Sequence, residues 1–241
     1  MIQEKNYNRI IVIGDLHGHF TPLLKMLDRL KLNDGDLAVF IGDYIDRGYE
    51  AKSVVQRLIQ LQFALPETVF LKGNHEDMLL GSLGYPAVVD DLRTWLYNGG
   101  GATLVSYGMD YKTIQKITTL WDDEERSRLI RDVIPDSHIG FFKGLKLYLE
   151  TEHFFICHAG VDPSCTIEEG KDRVFDLLWI REHLYASASS WEKVVVCGHT
   201  PLDEVLMRDN LICVDTGLHY TGKLSAVEIL SKKIYQVRGG L

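Results

Sequence analysis

In Ile10-Ile11-Val12-Ile13-Gly14-Asp15-Leu16-His17-Gly18, four consecutive β-branched residues run into a glycine and then into two side chains of the kinds that hold metals. A short apolar run closed by glycine has the pattern of a buried strand. Asp15 and His17 stand two apart, so in an extended segment both point the same way and can grip one ion while Leu16 faces the core. The construction recurs along the chain. Ile41 leads into Gly42-Asp43-Tyr44-Ile45-Asp46-Arg47-Gly48, Leu71 into Lys72-Gly73-Asn74-His75-Glu76, Cys157 into His158-Ala159-Gly160, and Cys197 into Gly198-His199-Thr200.

Strand-like runs fall at 10–13, 37–41, 69–71, 154–157, 194–197, 211–214, 226–230 and 234–237. Helical periodicity at 21–32 and 51–65 separates the first three, in βαβαβ order, which makes this an α/β chain. Pro22 suits a first helical turn, with Thr21 as its cap. In sheets with helical crossovers the functional crevice lies outside the carboxyl ends of the strands, so five loops far apart in sequence can meet at one spot. Oxygens from Asp and Asn together with imidazole nitrogens suit Mn, Fe or Zn, whereas an all-oxygen set would suggest Mg or Ca.

From about 77 to 150 the pattern is helical, broken by Gly81, Gly84-Tyr85-Pro86 and Asn98-Gly99-Gly100-Gly101. Residues 122–131 read as an exposed helix with an acidic first turn and later arginines. With no repeat, low-complexity tract or dividing linker, residues 1–241 are expected to form a single domain.

The net charge of −8 argues against a broad nucleic-acid surface, which needs clustered lysine and arginine. The apolar runs are too short to cross a bilayer and the first nine residues lack signal-peptide architecture, so a cytoplasmic protein without a membrane partner is expected. Cys157, Cys165, Cys197 and Cys213 form no CxxC pair, and no disulfide framework is implied. Neither Cys157 nor Cys197 has the context of a nucleophilic thiol.

The elements GDLHG at Gly14, GDYIDRG at Gly42 and GNHE at Gly73, followed by the histidines of CHAG and GHT, resemble the signature of the calcineurin-like metallophosphoesterases, in the phosphoprotein phosphatase branch and its bacterial and phage-like members. The resemblance runs from about residue 10 to about residue 230 and implies two mixed β-sheets packed as a sandwich flanked by helices, with the helical insertion at about 77–150. It implies two divalent ions, Mn²⁺ foremost with Fe or Zn as alternatives. One ion is implied on Asp15, His17 and Asp43, the second on Asp43 as a bridge with Asn74, His158 and His199. Arg47 matches a phosphate-gripping arginine, Arg181 resembles a second, and His75 with Asp46 matches a pair serving as general acid.

The activity so implied is hydrolysis of a phosphate monoester on a phosphoprotein or phosphopeptide, a metal-bridging hydroxide attacking phosphorus in line. By charge counting, two divalent ions with two aspartates and one hydroxide leave about +1, which suits a phosphate dianion; the neutral Asn74 in place of a third carboxylate keeps it so. Two other readings stand beside it: a symmetrical dinucleoside tetraphosphate hydrolase, whose second motif typically carries alanine where this chain has Asp46, and a non-catalytic scaffold. Trp95-Leu96-Tyr97-Asn98-Gly99-Gly100-Gly101 is expected either to wall the substrate groove or to be a helix end with a glycine-rich turn.

Overall fold

The computed structural model describes residues 2–120, 122–186 and 189–239. β1 (Arg9–Ile13) alternates strictly. Ile10 and Val12 enter one buried cluster and Ile11 and Ile13 another, because successive strand side chains point to opposite faces. β2 (Asp36–Phe40) and β3 (Val69–Phe70) run parallel to β1, joined through α1 (Phe20–Leu30) and α2 (Ala51–Ala64). Arg9 pins the start of this unit, donating from Nε and Nη2 to the Asp36 carboxylate at 2.8 and 2.5 Å and from Nη2 to the Leu30 carbonyl at 3.1 Å.

The helix α1 buries Pro22, Leu23, Met26 and Leu30, one face at helical spacing. It begins two residues earlier than Thr21 as a cap would allow. His19 is the N-cap and caps with no side-chain bond; instead the Glu50 carboxylate, from the loop before α2, accepts the Phe20 amide at 3.2 Å. A tertiary acceptor has replaced the local one.

After β3 come α3 (Asn74–Ser82), α4 (Leu92–Trp95), a π turn (Leu96–Gly100), α5 (Gly101–Ser106), α6 (Tyr111–Thr119), α7 (Asp123–Arg131) and α8 (Asp136–Lys143). The expected insertion is thus helical, but it starts inside the third motif and stops short of 150, where β4 (Tyr148–Glu150) already pairs with β5 (Phe154–Cys157). Asp122 caps α7 by accepting the Glu125 amide at 3.0 Å, as its acidic first turn predicts.

The second sheet follows the order β4-β5-β6-β8-β7, with β6 (Val194–Cys197), β7 (Leu206–Met207) and β8 (Leu211–Cys213). Its three central strands are parallel and its edges antiparallel. The chain then returns to the first sheet, ordered β10-β9-β1-β2-β3, through α9 (Leu218–Thr221), β9 (Lys223–Glu228) and β10 (Lys233–Arg238). The two five-stranded mixed sheets pack face to face over Ile10, Val12, Val39, Ile156, Val196 and Ile212. Removing one of these isoleucine side chains to alanine costs about 2–5 kcal/mol. Among the described residues no helix is long and apolar enough to cross a membrane, and all four cysteines are free and buried.

Candidate active site

The loops after β1, β2, β3, β5 and β6 meet at one end of the sandwich. They turn sharply to do so: His17, Asp43, Asp46, Arg47 and His199 have φ of 41, 52, 70, 68 and 64°, in the left-handed region that costs a side-chain-bearing residue roughly 1–2 kcal/mol. Bonds between loops hold these conformations. The Asp43 carbonyl accepts the Leu16 and His17 amides at 3.0 and 2.8 Å, tying the first loop to the second. Gly42, at φ 112°, lies where a Cβ would come 2.6 Å from the Gly73 nitrogen and 2.8 Å from His158 Nδ1, so only glycine lets three loops close here.

Donor atoms cluster in two groups that share Asp43: His17, Asp43 and His75, and Asp43, His158 and His199, each within 4.8 Å. Carbonyls fix two of the tautomers. His17 Nδ1–H donates to the Ile45 carbonyl at 3.1 Å and His158 Nδ1–H to the Ile41 carbonyl at 2.9 Å, so in each ring Nε2 faces the site. Around His158 Nε2 stand Asn74 Oδ1 at 3.0 Å, His199 Nδ1 at 3.2 Å and Asp43 Oδ1 at 3.4 Å. Burial pulls His158 down, yet Asp43 and Asp15 carry it up to about 9. The buried carboxylates therefore demand positive charge, and a divalent cation meets that demand with more of these atoms than one proton can. The residues fit a metal pair.

Asp15 is buried beside them but belongs to neither donor group; its carboxylate oxygens accept the His199 amide at 3.3 and 3.2 Å. Burial raises it, with Asp215 and Asp43 adding to the rise. A model of the calcineurin-like phosphoesterase family matches residues 8–238. The chain belongs to the calcineurin-like phosphoesterase family. Members of this family depend on two metal ions, in keeping with the paired donor groups here.

Among relatives of this phosphoesterase, "Serine/threonine-protein phosphatase 2" of Salmonella typhimurium strain LT2 is 29% identical over 236 residues, covering 95% of this chain and 96% of its own. The asymmetrical bis(5'-nucleosyl)-tetraphosphatase PrpE of Bacillus thuringiensis strain Al Hakam is 23% identical, covering 90% and 88%. A solved structure described as a putative diadenosine tetraphosphatase superposes with a TM-score of 0.67 at 18% identity, covering 99% of this chain and 96% of its own, a likeness of fold.

Within the first donor group, the His75 Nδ1–H donates to Asp46 Oδ2 at 2.7 Å, and although burial pulls the ring down, Asp43 and Asp46 hold it above its ordinary pKa. Arg47 spans the two imidazoles, with Nη1 2.9 Å from His17 Nε2 and Nη2 3.3 Å from His75 Nε2, and its guanidinium lies 5.6 Å from the Tyr220 ring centre. Arg181 is an exposed residue, and its Nη1 donates to the His199 carbonyl at 3.3 Å and Thr200 Oγ1 at 3.1 Å, which places it at the fifth loop. Every residue expected from sequence thus lies at this end of the molecule.

Four others have roles that the sequence reading did not assign, among them Trp95, which ends α4 before the glycine-rich turn. The buried Glu76 carboxylate accepts the amides of Asp43, Tyr44, Ile45 and Gly73 at 2.9, 2.8, 3.3 and 3.0 Å, fastening the second motif to the third. Its position inside GNHE was the available signal. Asp215, at the end of β8, is buried and pushed up to about 6 by burial; it follows the same pattern of an acid after a strand. Trp95 and Thr103 bond Asp46 from the insertion, and Trp95 is 0% exposed, so it is no wall of an open groove.

Proposed function

We propose that this phosphoesterase removes phosphate from serine or threonine side chains of phosphoproteins. The observation that carries the reading is the 2.7 Å bond from His75 Nδ1 to Asp46 Oδ2, which leaves His75 Nε2 turned toward Arg47 and the donor cluster. A serine or threonine alkoxide is strongly basic and leaves only with a proton, and a ring held above its ordinary pKa by Asp43 and Asp46 is suited to give it. Two divalent cations, Mn²⁺ foremost, would be held by Asp15, His17 and Asp43 and by Asp43, Asn74, His158 and His199; they supply an activated water and neutralise charge developing on phosphorus. Arg47 and Arg181 bind the phosphate oxygens, and Asp46 keeps the His75 ring aligned.

The phosphatase name of the Salmonella relative supports this reading, while the Bacillus relative, named a tetraphosphatase, supports a dinucleotide substrate for the same site. A side-by-side comparison on one Mn²⁺-loaded preparation decides between them. Phosphoserine or phosphothreonine peptides should show a higher kcat/KM than diadenosine tetraphosphate. A preference for the dinucleotide of about tenfold or more overturns the protein substrate and leaves the metal site standing.

A further inference from the structure

Asp46 and Arg47 are consecutive and both left-handed, with φ of 70 and 68°, although neither is glycine. Their own loop does not hold their amides. The Asp46 N–H donates to Thr103 Oγ1 at 2.8 Å and the Arg47 N–H to the Gly99 carbonyl at 3.3 Å. The Thr103 hydroxyl in turn donates to Asp46 Oδ1 at 2.6 Å, and Trp95 Nε1–H donates to Asp46 Oδ2 at 2.9 Å. Asp46 is 0% exposed, so these donors and His75 are what satisfy its carboxylate. Two directional bonds at different oxygens fix the plane of the carboxylate, and the third then fixes the plane of the imidazole.

The approach of Gly99 is equally specific. At φ 106° it places its carbonyl against the Arg47 amide, and a Cβ there would stand 2.8 Å from Arg47 N and 3.0 Å from its Cγ. All of these partners come from one stretch of the insertion, the end of α4, the π turn and the start of α5.

We infer that residues 95–103 form a positioning clamp: Trp95 and Thr103 orient Asp46 and through it the His75 ring, while Gly99 sets the backbone that aims Arg47. The inference rests on the acid role proposed for His75. A stretch that merely supported the fold would, when weakened, lower every activity together. A clamp on the proton donor separates substrates by their leaving groups, because a nitrophenolate departs without a proton and a serine alkoxide does not.

The experiment uses the full chain loaded with Mn²⁺ and measures kcat and KM on a phosphoserine peptide and on p-nitrophenyl phosphate, with Mn²⁺ affinity and thermal midpoint beside them. Thr103→Val keeps the shape and removes the hydroxyl; it should lower kcat on the peptide by ~10-fold or more and on the aryl phosphate by no more than about threefold. Thr103→Ser should restore the peptide rate. If Thr103→Val does not fold, Trp95→Phe, which keeps a ring and removes the donor, carries the same expectation. His75→Asn is run in parallel. Equal losses on both substrates in the clamp variants, or an unchanged peptide rate in a folded one, overturn the clamp while a selective loss in His75→Asn keeps the acid role. Equal losses in His75→Asn overturn the acid role and the clamp with it.

Discussion

Asp43 is the residue on which both donor groups depend, since its carboxylate stands in each while Asn74 serves one. Replacing Asp43 with alanine should therefore lower kcat/KM on an aryl phosphate by about 10²-fold or more and reduce bound metal at both positions; Asn74→Ala should cost less and spare one ion. Rate assays with metal counting on the purified variants check this, and equal small losses at the two positions would remove Asp43 from its bridging role. The donor residues themselves were legible in the chain because each follows a strand directly, so local pattern and spatial convergence coincide. Trp95 and Thr103 were not legible as partners of Asp46, which lies 49 and 57 residues away, because no local pattern encodes a contact between a loop and a helix so far along the chain. The left-handed backbone at Asp46 and Arg47 was hidden for the same reason, its compensation being supplied from the insertion.

At the level of elements, the parallel strands and the helices between them were readable, since burial on both faces writes short unbroken apolar runs. The edge strands β4 and β7 carry no such run, since of their residues only Leu149 is buried. The 3-10 turn Glu182–Tyr185 was likewise unforeseen, and it presses His183 against β6, with Nε2 3.5 Å from Cys197 Sγ. Burial pushes His183 down to about 4, against the opposing pull of Glu182. Since its folded pKa lies below the ordinary value, the unfolded chain takes up the proton first. The ring leaves stability untouched above about pH 6.5 and lowers it progressively as pH falls toward 4, by roughly 2 kcal/mol at pH 5. Urea unfolding of metal-free protein at pH 7.5 and pH 5 should show a drop that is smaller by about that amount in His183→Leu. Equal drops in the two proteins would mean that the ring titrates as if in water.

Across the whole molecule, one end of the sandwich gathers the buried acids Asp15, Asp43, Glu76 and Asp215, an arrangement that opposes folding until cations offset it. Mn²⁺ at about a hundredfold its dissociation constant should add about 2.7 kcal/mol for each of the two ions, raising the thermal midpoint by roughly 10–20 °C, and a chelator should reverse the rise. Thermal scans of a verified metal-free sample with and without Mn²⁺ test this; coincident midpoints would mean that the native fold gains nothing from the ions. The order β10-β9-β1-β2-β3 has a consequence for how the protein is made. A ribosome releases β1 early and β9 late, and at about 5–20 residues per second the amide edge of β1 waits many seconds for its neighbour. A product cut off between His199 and Lys223 carries every donor side chain, yet it lacks the Ser225 carbonyl that holds the Gly14 amide at 3.1 Å just before Asp15. Premature termination of translation therefore leaves β1 with an unpaired amide edge, open to pairing with another chain.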